Sequence, residues 1–173
     1  MAILPIIEIP DPRLRQISEP VETFDAALQT LIDDMFETMY DAPGIGLAAI
    51  QVGVAKCVLV IDLQEEGEGV KNPRVFINPK FSEPSDELNV YSEGCLSIPD
   101  QFAEVERPAR IRAQWLDREG KPHDEVIDGL LATCLQHEVD HLEGIVFTDH
   151  LSRLKRDMVL KKLEKLRRQQ RAA

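Results

Sequence analysis

The sequence predicts an α+β fold: mostly antiparallel strands packed around a central helix that carries His-Glu-x-x-His, with a further helix at the C-terminus. Three observations predict it. Apolar residues recur at helical spacing in three separated stretches, near residues 23–41, 129–142 and 152–173. Between the first two lie short segments rich in β-branched residues, joined by connections of hairpin length that bear Pro or Gly. Strands grouped between helices in this way point to α+β rather than to alternating βαβ units.

The chain has 173 residues, 43% hydrophobic and 29% charged, which suits one globular domain with a real core. No apolar run approaches the roughly 18 residues of a membrane span. The start, Met1-Ala2-Ile3-Leu4-Pro5, lacks the pattern of a secretory leader, so a cytoplasmic location is expected. An odd count of widely spaced cysteines (Cys57, Cys95, Cys134) fits a reducing compartment. The net charge of −11 is unevenly divided. Residues 151–173 hold 9 Lys/Arg against 2 Asp/Glu, or +7, and residues 1–150 hold 11 against 29, or −18. The expected organisation is therefore an acidic body, 1–150, and a basic C-terminal helix of the same domain, 151–173.

The first helix follows from Leu28, Leu31, Ile32, Met35 and Met39, with Thr23 or Asp25 as its cap and Pro43-Gly44 as its end. A small, flexible run follows, Gly44 to Ala49. Residues 55–61 read as a buried strand and residues 64–72 as an acidic, glycine-bearing loop. Val75-Phe76-Ile77 is a short strand stopped by Asn78-Pro79. Further strands are expected at 88–91, 102–106, 111–116 and 123–127, punctuated by Arg107-Pro108 and Glu119-Gly120. Ile111, Ala113 and Trp115 alternate with Arg112 and Gln114, so one face of that strand is buried. The second helix runs from Gly129 to Leu142 and stops at Gly144. The third starts near Ser152, with Leu151, Leu154, Met158, Val159, Leu163 and Leu166 available to dock it. Lys161, Lys162, Lys165, Arg167, Arg168 and Arg171 crowd its free end.

The second helix carries the most informative residues, His137-Glu138-Val139-Asp140-His141. Histidines four apart share a helical face and can converge on one cation. Glu138 lies roughly 80° around the helix from them, where it can exchange protons at the cation's open position without ligating. Two histidines under-coordinate a metal, and a catalytic site usually has three protein ligands. His150 lies beyond the Gly144 break, His123 sits in a strand-turn context and Glu143 is off the ligand face. Cys134 shares the face but sits about 7.5 Å along the axis from the expected metal level, too far for a bond of ~2.3 Å. It lines a pocket instead, together with Leu130. Cys57 reads as a buried, inert thiol. Cys95, in Glu93-Gly94-Cys95-Leu96-Ser97, is either the third ligand or a buried loop cysteine, and the residues alone leave both open.

Gly44-x-Gly46-x-x-Ala49 formally matches a dinucleotide fingerprint, but a helix precedes it and a strand follows, the reverse of what that motif needs. Taken alone, Gln51 at its end is an exposed loop amide. The alternative is a donor to a developing oxyanion.

The segments Gly44-Ile45-Gly46-Leu47-Ala48-Ala49-Ile50-Gln51, Glu93-Gly94-Cys95-Leu96-Ser97 and Gln136-His137-Glu138-Val139-Asp140-His141, in this order, closely resemble the three signature motifs of the peptide deformylase family, GxGLAAxQ, EGCxS and HExxH. The resemblance covers nearly the whole chain and is to the bacterial type with a helical C-terminus. It implies hydrolysis of the formyl group from N-formylmethionyl nascent peptides. It implies Cys95, His137 and His141 as metal ligands, Glu138 as general acid and base, and Gln51 and the Leu96 N–H as oxyanion donors. It points to Fe(II) in the cell, with Ni, Co or Zn in isolated protein, where a Cys/His/His set alone would point to zinc. A methionine side chain would then enter an apolar pocket of Ile45, Leu130 and Cys134 with Tyr91 at its rim. Gly46 and Glu93 would stand beside the bound peptide. Phe102 occupies a position where some relatives carry Arg. For an enzyme whose substrates emerge from ribosomes, the basic helix becomes a docking element for ribosomal RNA. The rival readings are a metallopeptidase cleaving internal bonds and a non-enzymatic module with a closed metal site.

Overall fold

Val58–Ile61 forms a strand (β2) without polar alternation because both of its faces are covered. Leu59 and Ile61 face one core and Val58 and Val60 another. The structure is a computed structural model and describes residues 2–64 and 71–172. Residues 65–70, within the acidic stretch expected as a loop, lie outside the described residues. Around β2 runs a five-stranded antiparallel sheet in the order β1 (Gly46–Ala48), β2, β3 (Arg74–Ser82), β6 (Arg110–Leu116), β7 (Pro122–Asp128). A separate antiparallel ribbon joins β4 (Leu88–Cys95) to β5 (Ile98–Pro108).

Helix α1 (Ala26–Asp41) covers one face of the sheet through Leu28, Ile32, Met35 and Met39. Of the two expected caps it is Asp25 that acts, its carboxylate accepting the Leu28 N–H at 3.0 Å. Helix α2 (Gly129–Leu142) covers the other face through Ala132, Leu135 and Leu142, against Phe76, Ile111, Ala113, Trp115 and Ile127. Each large apolar side chain fully buried here contributes about 1.5–3 kcal/mol. A third cluster joins the N-terminal arm (Ile7, Ile9, Leu14), the ribbon (Ile98, Val105), Phe147 and α3 (Arg153–Ala172).

Three expectations need correction. Gly46–Ala48, read as flexible, is a strand because it pairs with Leu59, Val60 and Ile61 of β2. Asn78-Pro79 does not end β3. Asn78 adopts a φ of 51°, the register shifts between Ile77 and Lys80, and the Asn78 side chain bonds both backbone groups of Val21, so the strand continues past a bulge. Arg107-Pro108 does mark the end of β5, with β6 starting at Arg110. Leu154 and Met158 are 72% and 50% exposed. Only the Val159–Leu163 face docks, and at 100° per residue Leu154 points about 160° away from its middle. Among the described residues no helix is long and apolar enough to cross a membrane.

Candidate metal centre

The ribbon and α2 meet where their informative residues lie. Cys95 is the last residue of β4, directly before the two-residue turn Leu96-Ser97. His137 and His141 stand on the same face of α2. The donor atoms of Cys95, His137 and His141 all lie within 4.8 Å of one another, and Cys95 Sγ is 3.4 Å from His141 Nε2. A tetrahedral cation with bonds of about 2.3 Å to sulfur and 2.0–2.1 Å to nitrogen would place those atoms roughly 3.5 Å apart. The chemistry of the set fits too: a thiol that can ionise and two imidazoles, one with its outer nitrogen already committed. Among the described residues this group has three protein donors. His123 pairs with Asp117 and His150 with Asp140, so neither joins it, and the Cys57 thiol donates to Ser18 O. Cys134 lies outside the donor group.

His137 is held by its partner. Its Nδ1 lies 2.9 Å from Glu93 Oε1, an arrangement that leaves Nε2 free to ligate a cation. Burial works against a charge on His137, but Cys95 and Glu93 beside it raise its pKa well above the ordinary value. Burial, and then the nearby His137 and Arg107, push His141 well below it. Glu93 also accepts a two-pronged bond from Arg107 at 2.7 and 2.9 Å. Burial opposes its charge, yet the bonds from His137 and Arg107 keep its carboxyl below the usual range. The structure therefore places Glu93 behind His137, with both carboxylate oxygens engaged.

Glu138 is buried next to His137, with Oε1 3.8 Å from His137 Nε2 and Oε2 without a hydrogen-bond partner among the described residues. Burial pushes its carboxyl up to about 7. The glycines of the first motif acquire a physical reason here. A Cβ on Gly46 would sit 3.0 Å from Glu138 Oε1, and one on Gly44 would sit 2.7 Å from Leu96 Cδ1. A side chain at either position would have to push Leu96 or Glu138 aside.

Gln51 is not the exposed amide that the residues alone favour. It is 1% exposed, in a 3-10 turn (Ala49–Val52). Its Oε1 accepts the Ala48 N–H at 2.9 Å, and its Nε2 donates to Ser97 Oγ at 3.0 Å and lies 3.5 Å from Cys95 Sγ. The N-terminal arm fixes both segments, since Ile7 donates to Gln51 O and Ile9 to Ser97 O.

A cavity of about 720 Å³ opens beside these groups. Its walls include all six of the expected substrate contacts: Ile45, Gly46, Tyr91, Glu93, Leu130 and Cys134. Cys95, Leu96, His137 and Glu138 also line it. Phe102, 68% exposed, stands at its rim with its ring over Gly94, where a Cβ would come within 2.4 Å. Sequence reasoning missed Arg107 and Ser97. Alternation was the available signal for Arg107, which shares a strand face with buried Val105 and not with exposed Glu104 and Glu106.

Comparison with known proteins agrees with this geometry. The family model described as polypeptide deformylase matches residues 3–157. A peptide deformylase of Rhizorhabdus wittichii is 69% identical over the full length of both chains. The crystal structure of a peptide deformylase from Legionella pneumophila superposes with a TM-score of 0.91 at 47% identity, over 99% of each chain. One from Ehrlichia chaffeensis, solved in complex with actinonin, gives 0.89 at 47% identity over 95% of this chain and 98% of its own. Agreement of this extent, in sequence over the whole length and in the fold that brings Cys95 to the α2 histidines, has one explanation: the chain belongs to the polypeptide deformylase family.

Proposed function

We propose that this chain removes the formyl group from the N-terminal formylmethionine of newly made polypeptides in the cytoplasm. One divalent cation, Fe(II) in the cell, is bound by Cys95, His137 and His141. The observation that carries this reading is the three-donor group set beside a buried carboxylate in the wall of an apolar cavity. Three donors rather than four leave a coordination position open, which a closed structural site would not. On these ligands the cation supplies Lewis-acid activation of water and of the formyl carbonyl.

The chain's own residues do the rest. Glu138 accepts the proton released as water attacks the formyl carbon and returns it to the departing amine. Its burial keeps that proton from bulk solvent. Gln51 Nε2 and the Leu96 N–H stabilise the negative charge that grows on the formyl oxygen. The Ser97 hydroxyl accepts a hydrogen bond from one Nε2 N–H and so fixes the amide plane, with the other N–H beside Cys95 Sγ. Ile45, Leu130 and Cys134 receive the methionine side chain, and Gly46 offers backbone to the extended peptide beyond it. The test is hydrolysis of a formyl-Met tripeptide by metal-loaded protein, against its acetylated counterpart and peptides cleavable only internally. Preference for either alternative substrate would overturn the reading.

Gln51→Ala should fold and bind metal but lose about 10²–10³ in kcat. Near-parental turnover in single-substrate kinetics would remove Gln51 from the oxyanion site.

The basic face of α3 fits contact with ribosomal RNA. Lys161, Lys162 and Lys165 are exposed, whereas Arg167 turns back to Glu8 and the Ile9 carbonyl. Reversing charge at Lys161 and Lys165 should weaken cosedimentation with ribosomes and flatten its salt dependence, with turnover of a free tripeptide unchanged. Equal sedimentation of the variant would sink the docking reading.

A further inference from the structure

Behind the cation donors lies a continuous chain of buried ionic contacts. His137 Nδ1 meets Glu93 Oε1 at 2.9 Å. Arg107 clamps Glu93 through Nε and Nη2, and its Nη1 donates to Asp140 Oδ2 at 2.9 Å. Asp140 Oδ2 in turn lies 2.7 Å from His150 Nε2, at the surface. The side chains of Arg107 and Glu93 are 5% and 6% exposed, and that of Asp140 is 18% exposed.

Two features set this chain apart from an ordinary ion pair. It is a closed ring in the fold: His137 and Asp140 stand three residues apart on α2, Glu93 is on β4 and Arg107 on β5. Glu93 is also two residues before Cys95, so the clamp that fixes Glu93 fixes the strand end carrying the thiol against the helix carrying the imidazoles. The second feature is charge. One guanidinium faces two carboxylates, leaving a formal −1 almost out of water next to the three donors. A cation at those donors balances it.

We propose that Arg107 and Asp140 are positioning residues for the metal centre. They act through Glu93 to hold His137 in its ligating orientation and Cys95 within reach of it. The proposal rests on the metal-dependent reading above. Arg107 serves because its planar fork fixes the carboxylate plane of Glu93 while a third nitrogen is left for Asp140. Lysine has the charge but not the fork. Loss of an outer-shell partner of this kind typically costs 10–100-fold in metal affinity.

The test uses full-length protein loaded with Co(II), comparing the parent with Arg107→Lys and Asp140→Asn. Affinity is read by chelator competition, ligand geometry by the visible Co(II) spectrum, and folding by circular dichroism and thermal unfolding. The expected result is folded variants with Co(II) bound 10–100-fold more weakly in Arg107→Lys, less weakened in Asp140→Asn, and an altered spectrum in both. A merely structural role would lower the unfolding temperature and leave the affinity and spectrum of the folded protein unchanged. Affinities within twofold of the parent, with the parental spectrum, would overturn the proposal. Asp140→Asn keeps the size of the side chain and one oxygen that can accept from Arg107 while removing its charge, and decides the matter if Arg107→Lys does not fold. Failure of the parent itself to bind Co(II) would instead overturn the metal-dependent reading, and this proposal with it.

Discussion

Glu138→Gln should give a folded protein with a full complement of metal and turnover lowered by about 10²–10⁴. Glutamine keeps the shape of the side chain and one acceptor oxygen but cannot take a proton from water. The position is sensitive because Glu138 is 5% exposed and its Oε2 has no hydrogen-bond partner among the described residues. No neighbouring carboxylate can substitute: Glu93 is held by Arg107 and His137, and Asp140 by Arg107 and His150. The exchange removes a charge whose burial is unfavourable, so the unfolding temperature should not fall. Turnover on formyl-Met peptide, metal content and thermal unfolding measured on one preparation check all three parts. A variant within tenfold of the parent in kcat would show that proton transfer does not pass through Glu138.

The parts of this site that were legible in the sequence are those where chemistry is written in local spacing. His137, Glu138 and His141 lie within five residues of one helix, and the α2 boundaries, Gly129–Leu142, were readable because periodicity begins at one glycine and ends shortly before another. Cys95 was different. Its residues left two readings open, and the resemblance chose between them before any distance did. What local sequence could not show is what depends on the ribbon folding back over α2. Arg107 looked like turn punctuation because it precedes Pro108, yet its place in the β5 alternation puts it inward, against Glu93 and Asp140. Gln51 looked exposed because nothing near it in sequence covers it. The cover comes from Ser97 and from the N-terminal arm, forty-odd residues away in either direction. Gly46–Ala48 has little strand propensity and becomes β1 through its partner, an instance of tertiary pairing overriding local preference.

Cys95→Ser should abolish turnover by a different route, loss of the metal itself. A serine hydroxyl is nearly the size of a thiol and can still accept from Gln51 Nε2, so β4 and the turn after it should keep their fold. What it lacks is a proton that a divalent cation can readily displace, and the soft donor that favours a late first-row metal. The penalty in affinity should exceed the ~10–100-fold expected for a lost outer-shell partner, since an inner ligand is removed. Metal analysis after gel filtration should find the parent loaded and the variant depleted, with turnover following metal content. In Glu138→Gln the two quantities should instead part company, metal retained and turnover lost. The paired variants thus separate holding the cation from moving the proton. A fully loaded Cys95→Ser protein would remove the thiol from the ligand set. The cation would then have to be held by His137 and His141 with a donor from outside the group within 4.8 Å, and the ribbon's approach to α2 would need another reason.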